Sequence, residues 1–213
     1  MISVLVADDH SVVREGIQRV LGKENDIIVC AEACDGEEVL EQIERQPPDV
    51  LILDITMPKL SGLETLERVR AKHPGIKTIL LSFRADPPLI QSAVSLGADG
   101  YLLKTARPDE IVAAVREVTR GGCYFSPPVA REIIDQMREP GRAGSEPFSS
   151  LSSREREVLR HIAEGLSAKE VASELHISPK TVEAHRTSLM RKLGVRKATE
   201  LVRYAVRHGL IEA

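Results

Sequence analysis

Short apolar runs recur through the first half of the chain, and the most apolar of them, residues 50–53, ends on the carboxylate of Asp54. An uninterrupted apolar run of this length is typical of a strand buried on both faces, as in a parallel sheet with helices above and below. Asp54 is therefore predicted to lie where such a strand ends. The carboxyl ends of parallel strands line the ligand crevice of open sheets, although a single acid there could equally cap a turn.

Further apolar runs and segments of helical spacing alternate with this strand. They predict strands over residues 3–7, 27–33, 78–82 and 101–104, and a helix after each strand, several of which begin at a capping residue or a proline. This alternation predicts an α/β domain with five parallel strands and right-handed crossovers.

Polar side chains stand at the predicted carboxyl ends of four strands, namely Asp8, Asp9, Asp54, Ser82 and Lys104. Because parallel strands end at one edge of their sheet, we expect these groups to lie together. Neighbouring carboxylates repel by about 4 kcal/mol per pair at roughly 4 Å and an effective dielectric constant near 20, so the cluster requires a cation. Oxygen ligands in a small, partly hydrated site suit Mg²⁺.

These groups favour phosphoryl chemistry on Asp54. A divalent ion would neutralise an approaching phosphoryl group and allow the carboxylate to attack phosphorus, forming an acyl phosphate. Ser82 could donate a hydrogen bond to the phosphoryl oxygens, and Lys104 could pair with their charge.

Asp8, Asp9, Asp54 with Pro58, Ser82, and Tyr101 three residues before Lys104 together resemble the receiver domain of bacterial response regulators. The resemblance implies a flavodoxin-like (βα)5 doubly wound parallel sheet and assigns a role to each position. Asp54 would be the phosphoacceptor, and Mg²⁺ would be held by Asp9, Asp54, the Thr56 carbonyl and, through water, Asp8. Ser82 and Tyr101 would form the switch pair, the ring turning inward behind the hydroxyl, with Lys104 beside the phosphoryl group.

Two positions depart from the receiver pattern. Many receivers have proline after the lysine of strand five, where a cis bond is favoured, whereas this chain has Thr105. The residues after Ser82, which include Phe83 and Arg84, are bulky and basic. We hypothesise that Arg84 reaches the phosphoryl group and alters its lifetime.

The second half of the chain predicts a connector and a small all-α domain. The expected boundaries are 1–122 for the receiver, 123–147 for a linker with a short helix at about 129–137, and 148–213 for the second domain. Capping boxes begin at Ser152 and Ser167, and Ser178 with Pro179 begins a third helix. Two short helices joined by a tight turn, the second of them basic, are the arrangement of a helix-turn-helix DNA reader.

The third helix divides into two faces at 100° per residue. Val182, His185, Leu189 and Leu193 share a stripe that we assign to the core. The outer face is short-chained with basic ends, which suits the major groove, although a solvated helix in a bundle would look similar. Its candidate DNA-contacting residues are Lys180, Thr181, Glu183, Ala184, Arg186, Thr187, Ser188 and Arg191.

The sign of the net charge also differs between the predicted receiver and the predicted second domain. Residues 1–125 contain 14 Lys and Arg against 20 Asp and Glu, whereas residues 148–213 contain 12 against 8. The basic half is the candidate for nucleic acid.

The segments from Leu151 to Leu159, Ala163 to Ser167, Lys169 to Ala172 and Ile177 to Arg186 resemble the LuxR-type helix-turn-helix. A receiver joined to such a domain resembles the NarL/FixJ class of two-component regulators. The resemblance implies phosphorylation by a sensor histidine kinase, homodimerisation on activation, and binding to double-stranded DNA at two half-sites. The fourth helix, with Leu201 and Ala205 on one side, could pack in its own domain or pair with a second copy.

Two other functions remain compatible with these residues. An aspartyl nucleophile with Mg²⁺ also serves phosphohydrolases, but these carry a second acid two residues after the nucleophile, where this chain has Thr56. A regulator whose receiver only mediates assembly would not need the acidic cluster. No apolar run approaches the roughly 18 residues of a membrane helix and no signal peptide is indicated, so we expect a cytoplasmic regulator rather than a dedicated enzyme.

Overall fold

The computed structural model describes residues 1–138, 151–195 and 197–207. It divides into two compact units, Met1–Pro140 and Gly141–Ala213. Each unit has its own hydrophobic core.

The first unit is built on a parallel sheet of six strands in the order β2-β1-β3-β4-β5-β6. The predicted α/β fold class is confirmed. The strands are β1 (Ile2–Ala7), β2 (Ile27–Ala33), β3 (Val50–Asp54), β4 (Lys77–Ser82), β5 (Gly100–Leu103) and β6 (Tyr124–Phe125). β3 is central and all its residues are buried, as its continuous apolar run predicts.

Helices cover both faces of this sheet. They are α1 (Ser11–Leu21), α2 (Gly36–Arg45), α3 (Gly62–Lys72), α4 (Pro87–Ser95), α5 (Pro108–Thr119) and α6 (Pro127–Arg138). Alternate residues of β3 separate the two cores: Leu51 and Leu53 pack with α2, α3, α4 and α6, whereas Val50 and Ile52 pack with α1 and α5.

Side-chain caps fix where several helices begin. Ser61, Ser152 and Ser167 form complete capping boxes with the glutamate three residues later. Asp35 accepts from the backbone N–H groups of Glu37 and Glu38 at the start of α2. These local signals explain why the helix starts could be predicted from the sequence.

The sheet has one strand more than the sequence analysis predicted. Tyr124 and Phe125 pair in parallel with Gly100 and Tyr101. α6 follows directly, with Val129 fully buried in the core. Residues 123–138 therefore belong to the first unit, beyond the expected boundary at 122. The sequence did not reveal this because a two-residue strand is too short to show a periodicity. The rest of the expected linker, residues 139–147, lies outside the described residues.

The second unit consists of four helices, in the part of it that the structure describes. They are α7 (Ser153–Ala163), α8 (Ala168–Glu174), α9 (Pro179–Leu193) and α10 (Ala198–Arg207). Val182, Leu189 and Leu193 of α9 are buried as predicted, with Leu201 and Ala205 of α10 in the same core, whereas His185 of the predicted stripe is only half-buried. No helix in the described ranges has the length and apolar character needed to cross a membrane.

Candidate functional site: an acidic sheet edge and a basic helix

Two carboxylates are buried side by side where β1 and β3 end. Asp54 is the last residue of β3 and Asp8 follows β1, its neighbour in the sheet, and their exposed fractions are 2% and 0%. Asp9 is more exposed and its carboxylate lies 2.7 Å from Nδ1 of His10. Ligand atoms of Asp8, Asp9, His10 and Asp54 all lie within 4.8 Å of one another. The three predicted acids therefore lie together at the ends of β1 and β3.

Lys104 bridges the two buried acids. Its Nζ lies 2.9 Å from Oδ2 of Asp8 and 2.9 Å from Oδ2 of Asp54, and its side chain is 1% exposed. The bond between Lys104 and Thr105 is trans, as are all peptide bonds of the described residues. Having Thr105 in place of proline therefore does not prevent Lys104 from contacting the two acids.

The pocket carries an excess of negative charge. Burial, with the charge of Asp8, raises the pKa of Asp54 to about 7, against the opposing effect of Lys104. Burial lowers the pKa of Lys104, but the two acids outweigh it and the pKa is raised. Oδ2 of both acids and Nζ of Lys104 are at ion-pair distance yet lack hydrogen-bond geometry. The charge of one lysine does not neutralise two buried carboxylates. The carboxylate oxygens of this cluster are ligands that fit a divalent cation.

Thr56 adjoins this site through its backbone, whose interaction with the Asp54 carboxylate opposes the rise in the pKa of Asp54. Gly62, the first residue of α3, packs against the same strand end. Its N–H donates to the carbonyl of Ile55 at 2.8 Å, and a Cβ at this position would lie 2.0 Å from the carbonyl oxygen of Asp54. Only glycine allows α3 to approach the acid so closely.

Ser82 and Tyr101 both form side-chain hydrogen bonds with the backbone of Arg84. Oγ of Ser82 accepts from the Arg84 N–H at 3.1 Å, and the Tyr101 hydroxyl donates to the Arg84 carbonyl at 2.9 Å. The Tyr101 ring is fully buried, and this burial raises the pKa of its hydroxyl to about 12. The Tyr101 ring therefore lies inside the core of the first unit in this structure.

The Arg84 side chain pairs with another residue of its own loop. Its guanidinium lies 2.6 Å from the carboxylate of Asp86, the residue preceding α4. The neighbouring Phe83, noted in the sequence as bulky but given no role there, has its ring centroid 4.9 Å from Nζ of Lys104. Its only sequence signal was a large aromatic residue directly after the strand-end Ser82.

In the second unit, α9 presents most of the predicted DNA-contacting residues to solvent. Its N-terminal residue pair Ser178 and Pro179 caps the helix as predicted, Ser178 accepting from the Thr181 N–H at 3.1 Å. Arg186 is half-buried and lies 3.4 Å from Glu183. The exposed predicted residues are Lys180, Thr181, Glu183, Ala184, Thr187 and Arg191.

Ser188 faces a different neighbour. Its hydroxyl donates to Oε1 of Glu155 at 2.9 Å, and Lys192 lies 2.7 Å from Oε2 of the same carboxylate. Glu155 also accepts from the N–H of Ser152 at 2.8 Å. Although burial opposes it, these partners lower the pKa of Glu155 to about 2. In the sequence, Glu155 is recognisable only as the glutamate of the capping box that begins at Ser152, and its link to α9 leaves no local pattern.

Comparison with known families assigns both units. Residues 4–116 match the family described as "Response regulator receiver domain", and residues 149–205 match "Bacterial regulatory proteins, luxR family".

Known proteins match over nearly the whole chain. The transcriptional regulatory protein UhpA of Escherichia coli is 42% identical over 203 residues, covering 95% of this chain and 97% of UhpA. The response regulator UvrY of the same organism is 37% identical, covering 100% and 97%.

Among solved structures, an RcsB–DNA complex is 27% identical with a TM-score of 0.62, covering 97% of this chain and 98% of RcsB. RcsB from Salmonella enterica serovar Typhimurium, bound to a promoter in the presence of the phosphomimetic BeF3⁻, is 28% identical with a TM-score of 0.59 and covers 96% and 98%. The receiver domain and the LuxR-type domain of this chain make it a member of the NarL/FixJ class of two-component response regulators. These proteins are DNA-binding regulators of transcription rather than dedicated enzymes.

Proposed function

We propose that Asp54 accepts a phosphoryl group from a sensor histidine kinase and that this event controls DNA binding by the second unit. One observation carries the proposal: two buried carboxylates, Asp8 and Asp54, share the single ammonium group of Lys104 at 2.9 Å each. Such a pocket has lower energy when more positive charge enters it. A regulator that used its receiver only for assembly would have no need of this arrangement.

Each residue of the pocket has a separate role in the proposed reaction. The Asp54 carboxylate attacks phosphorus, the bond from phosphorus to its donor breaks, and an acyl phosphate results. We propose that Asp9, Asp54, the Thr56 carbonyl and, through water, Asp8 hold Mg²⁺, which supplies charge neutralisation. Lys104 pairs with the new phosphoryl charge and the Ser82 hydroxyl donates to it. Because Ser82 and Tyr101 both hold the Arg84 backbone, a shift of Ser82 is communicated to this loop and α4.

For the output, we propose that α9 enters the major groove of double-stranded DNA. A homodimer formed on activation would read two half-sites about one helical turn apart. Support comes from the exposed basic residues of α9 and from the solved complexes of RcsB with DNA. We place this activity in the cytoplasm because its DNA target lies there.

Phosphoramidate, a small phosphodonor, tests the proposal. Wild-type protein incubated with it should gain one phosphoryl group by intact mass only when Mg²⁺ is present. The labelled protein should show a larger mass by light scattering and tighter DNA binding at fixed salt. Labelling without any change in assembly or DNA affinity would contradict the proposed control.

Replacing Asp9 tests the metal ligand set. We expect Asp9→Ala to raise the Mg²⁺ concentration for half-maximal labelling at least roughly 10-fold to 100-fold, since losing even an outer-shell partner of a metal ligand has an effect of this size. Titration of the labelling rate with Mg²⁺ measures it. Asp26→Asn, at the opposite end of the sheet, is the control; an unchanged Mg²⁺ requirement in Asp9→Ala would remove Asp9 from the site.

Basic residues of α9 should contribute through phosphate contacts. Lys180→Ala and Arg191→Ala are each expected to weaken binding to all DNA sequences similarly and to reduce the slope of log affinity against log salt by about 1. Fluorescence anisotropy at several salt concentrations measures the slope. Arg120→Ala, an exposed cation at the end of α5, should leave the slope unchanged. A normal slope in both α9 variants would show that this face does not contact DNA.

A further inference from the structure

The N-terminal half of α9 carries the side chains that would decide which DNA sequence the protein binds. In a helix-turn-helix domain, the N-terminal residues of the recognition helix contact base edges in the major groove. In α9 the exposed residues of this half are Lys180, Thr181, Glu183, Ala184 and Thr187. The hydrogen bonds that these residues already make determine which of them remain available to a base.

Both hydroxyl groups of this face are engaged within the helix and its cap. Oγ1 of Thr181 lies 2.8 Å from Oγ of Ser178, and one of the two donates to the other. Oγ1 of Thr187 donates to the backbone carbonyl of Glu183 at 2.9 Å. Ala184 has no polar side-chain atom. Glu183 and Lys180 therefore remain, and a flexible lysine is suited to a phosphate, which carries no sequence information.

Glu183 is also the one acid of α9, a helix with four lysines and arginines. Its side chain is 53% exposed, and its Oε1 lies 3.4 Å from the guanidinium group of Arg186. An acid on a helix face that enters DNA is repelled by the phosphates. An exposed arginine at this distance offsets only part of that repulsion. A hydrogen bond received from a base would offset the rest and give the acid a function.

The chemistry of a carboxylate limits the base that Glu183 can read, because it only accepts hydrogen bonds. In the major groove guanine presents the acceptors N7 and O6, and thymine presents the acceptor O4, so both repel a carboxylate. Adenine presents its N6 amino group beside the acceptor N7, which suits an amide that both donates and accepts. Cytosine presents only a donor, its N4 amino group. Cytosine is therefore the base that matches a carboxylate.

We propose that Glu183 determines sequence specificity by accepting a hydrogen bond from the N4 amino group of one cytosine in each half-site. The inference rests on the proposed function, since it requires α9 to lie in the major groove, and it deepens that function by naming a base. Lys180 and Arg191 supply affinity through phosphates, whereas Glu183 supplies discrimination. Its repulsion from guanine and thymine adds to the preference for cytosine.

Selection of duplexes from a pool of random sequence tests the proposal. The full-length protein, phosphorylated with phosphoramidate and Mg²⁺, should enrich half-sites with cytosine at one fixed position. Glu183→Ala should enrich the same half-sites with that position degenerate. Glu183→Gln carries an amide that accepts from N6 and donates to N7 of adenine, so adenine should replace cytosine there. Because Glu183 is exposed and alanine favours a helix, these variants should fold.

Fluorescence anisotropy then measures the size of the effect on the enriched half-site. Replacing the C·G pair at this position should weaken wild-type binding roughly 10-fold, the usual effect of one mismatched pair. The same replacement should weaken binding by Glu183→Ala less than about twofold, since the contact that discriminates is already lost.

Glu174→Gln is the matched control, because it removes the same charge from an exposed position of α8. It should show any general gain in affinity that follows the loss of an acid but should leave every position of the half-site unchanged. A cytosine position that persists in Glu183→Ala, or a wild-type half-site without such a position, would overturn the inference. Wild-type protein that enriches no common sequence would instead defeat the proposed sequence-specific DNA binding itself.

Discussion

Asp54→Asn is expected to abolish acyl-phosphate formation completely. The amide of asparagine nearly matches the carboxylate in shape, so the pocket should remain folded, but an amide oxygen is a very poor nucleophile toward phosphorus. The variant should show no added phosphoryl mass under conditions that label wild type fully. Its DNA affinity and its mass by light scattering should no longer respond to phosphoramidate with Mg²⁺.

Two comparisons make this result specific to Asp54. Asp26→Asn changes an exposed acid that pairs with Arg116 at the opposite end of the sheet, so it should be labelled like wild type. Basal DNA affinity of Asp54→Asn, measured without donor, should equal that of unlabelled wild type. Stoichiometric label on Asp54→Asn would show that another residue accepts the phosphoryl group, and the assignment would be wrong.

Glu155→Gln is expected to destabilise the second unit by about 3 kcal/mol at neutral pH. The carboxylate is buried, receives hydrogen bonds from Ser152 and Ser188, and pairs with Lys192. Its pKa falls from the ordinary 4.5 to about 2, and a fall of this size corresponds to about 3 kcal/mol. Hydrogen-exchange mass spectrometry of peptides from α7 and α9 measures the loss of protection.

The pH dependence of this effect follows from the direction of the shift. A carboxyl group with a lowered pKa in the folded state stabilises the protein fully above its unfolded pKa of about 4.5, and this contribution is lost as the pH falls toward 2. The difference between wild type and Glu155→Gln should therefore shrink progressively below pH 4.5. Glu170→Gln, at the equivalent capping position of α8 but exposed, should show a much smaller effect. Equal protection in Glu155→Gln and wild type at pH 7 would exclude Glu155 as the link to α9.

The sequence was most informative where local chemistry decides structure. The buried run before Asp54 predicted the central strand, and the polar groups at strand ends predicted which residues would meet, because parallel strands share one carboxyl edge. The serine caps predicted helix starts for the same local reason. Assigning roles to Ser82 and Tyr101 needed the family resemblance as well.

Features that depend on distant parts of the chain escaped prediction. β6 is too short to show a pattern and exists only because β5 offers it a partner. The link from Glu155 to Ser188 joins residues 33 positions apart, so no spacing rule could reveal it. Helical angles placed Ser188 at the margin of the outer face, whereas the bond to Glu155 depends on how α7 packs beside α9. Phe83 could be noticed as bulky, but its contact with Lys104 depends on the path of the loop after β4.

The close approach of Gly62 to the Asp54 carbonyl has a consequence for genetics. Any side chain there would collide with the backbone that carries the phosphoacceptor, at 2.0 Å from its carbonyl oxygen. Missense alleles at codon 62 should therefore give the same loss of signalling as alleles at codon 54, although they alter no reactive atom. The two classes would differ in protein abundance, which falls when packing is disrupted but not when only a nucleophile is lost. An allele screen scored by phenotype alone would confuse a folding defect with a chemical one at this site.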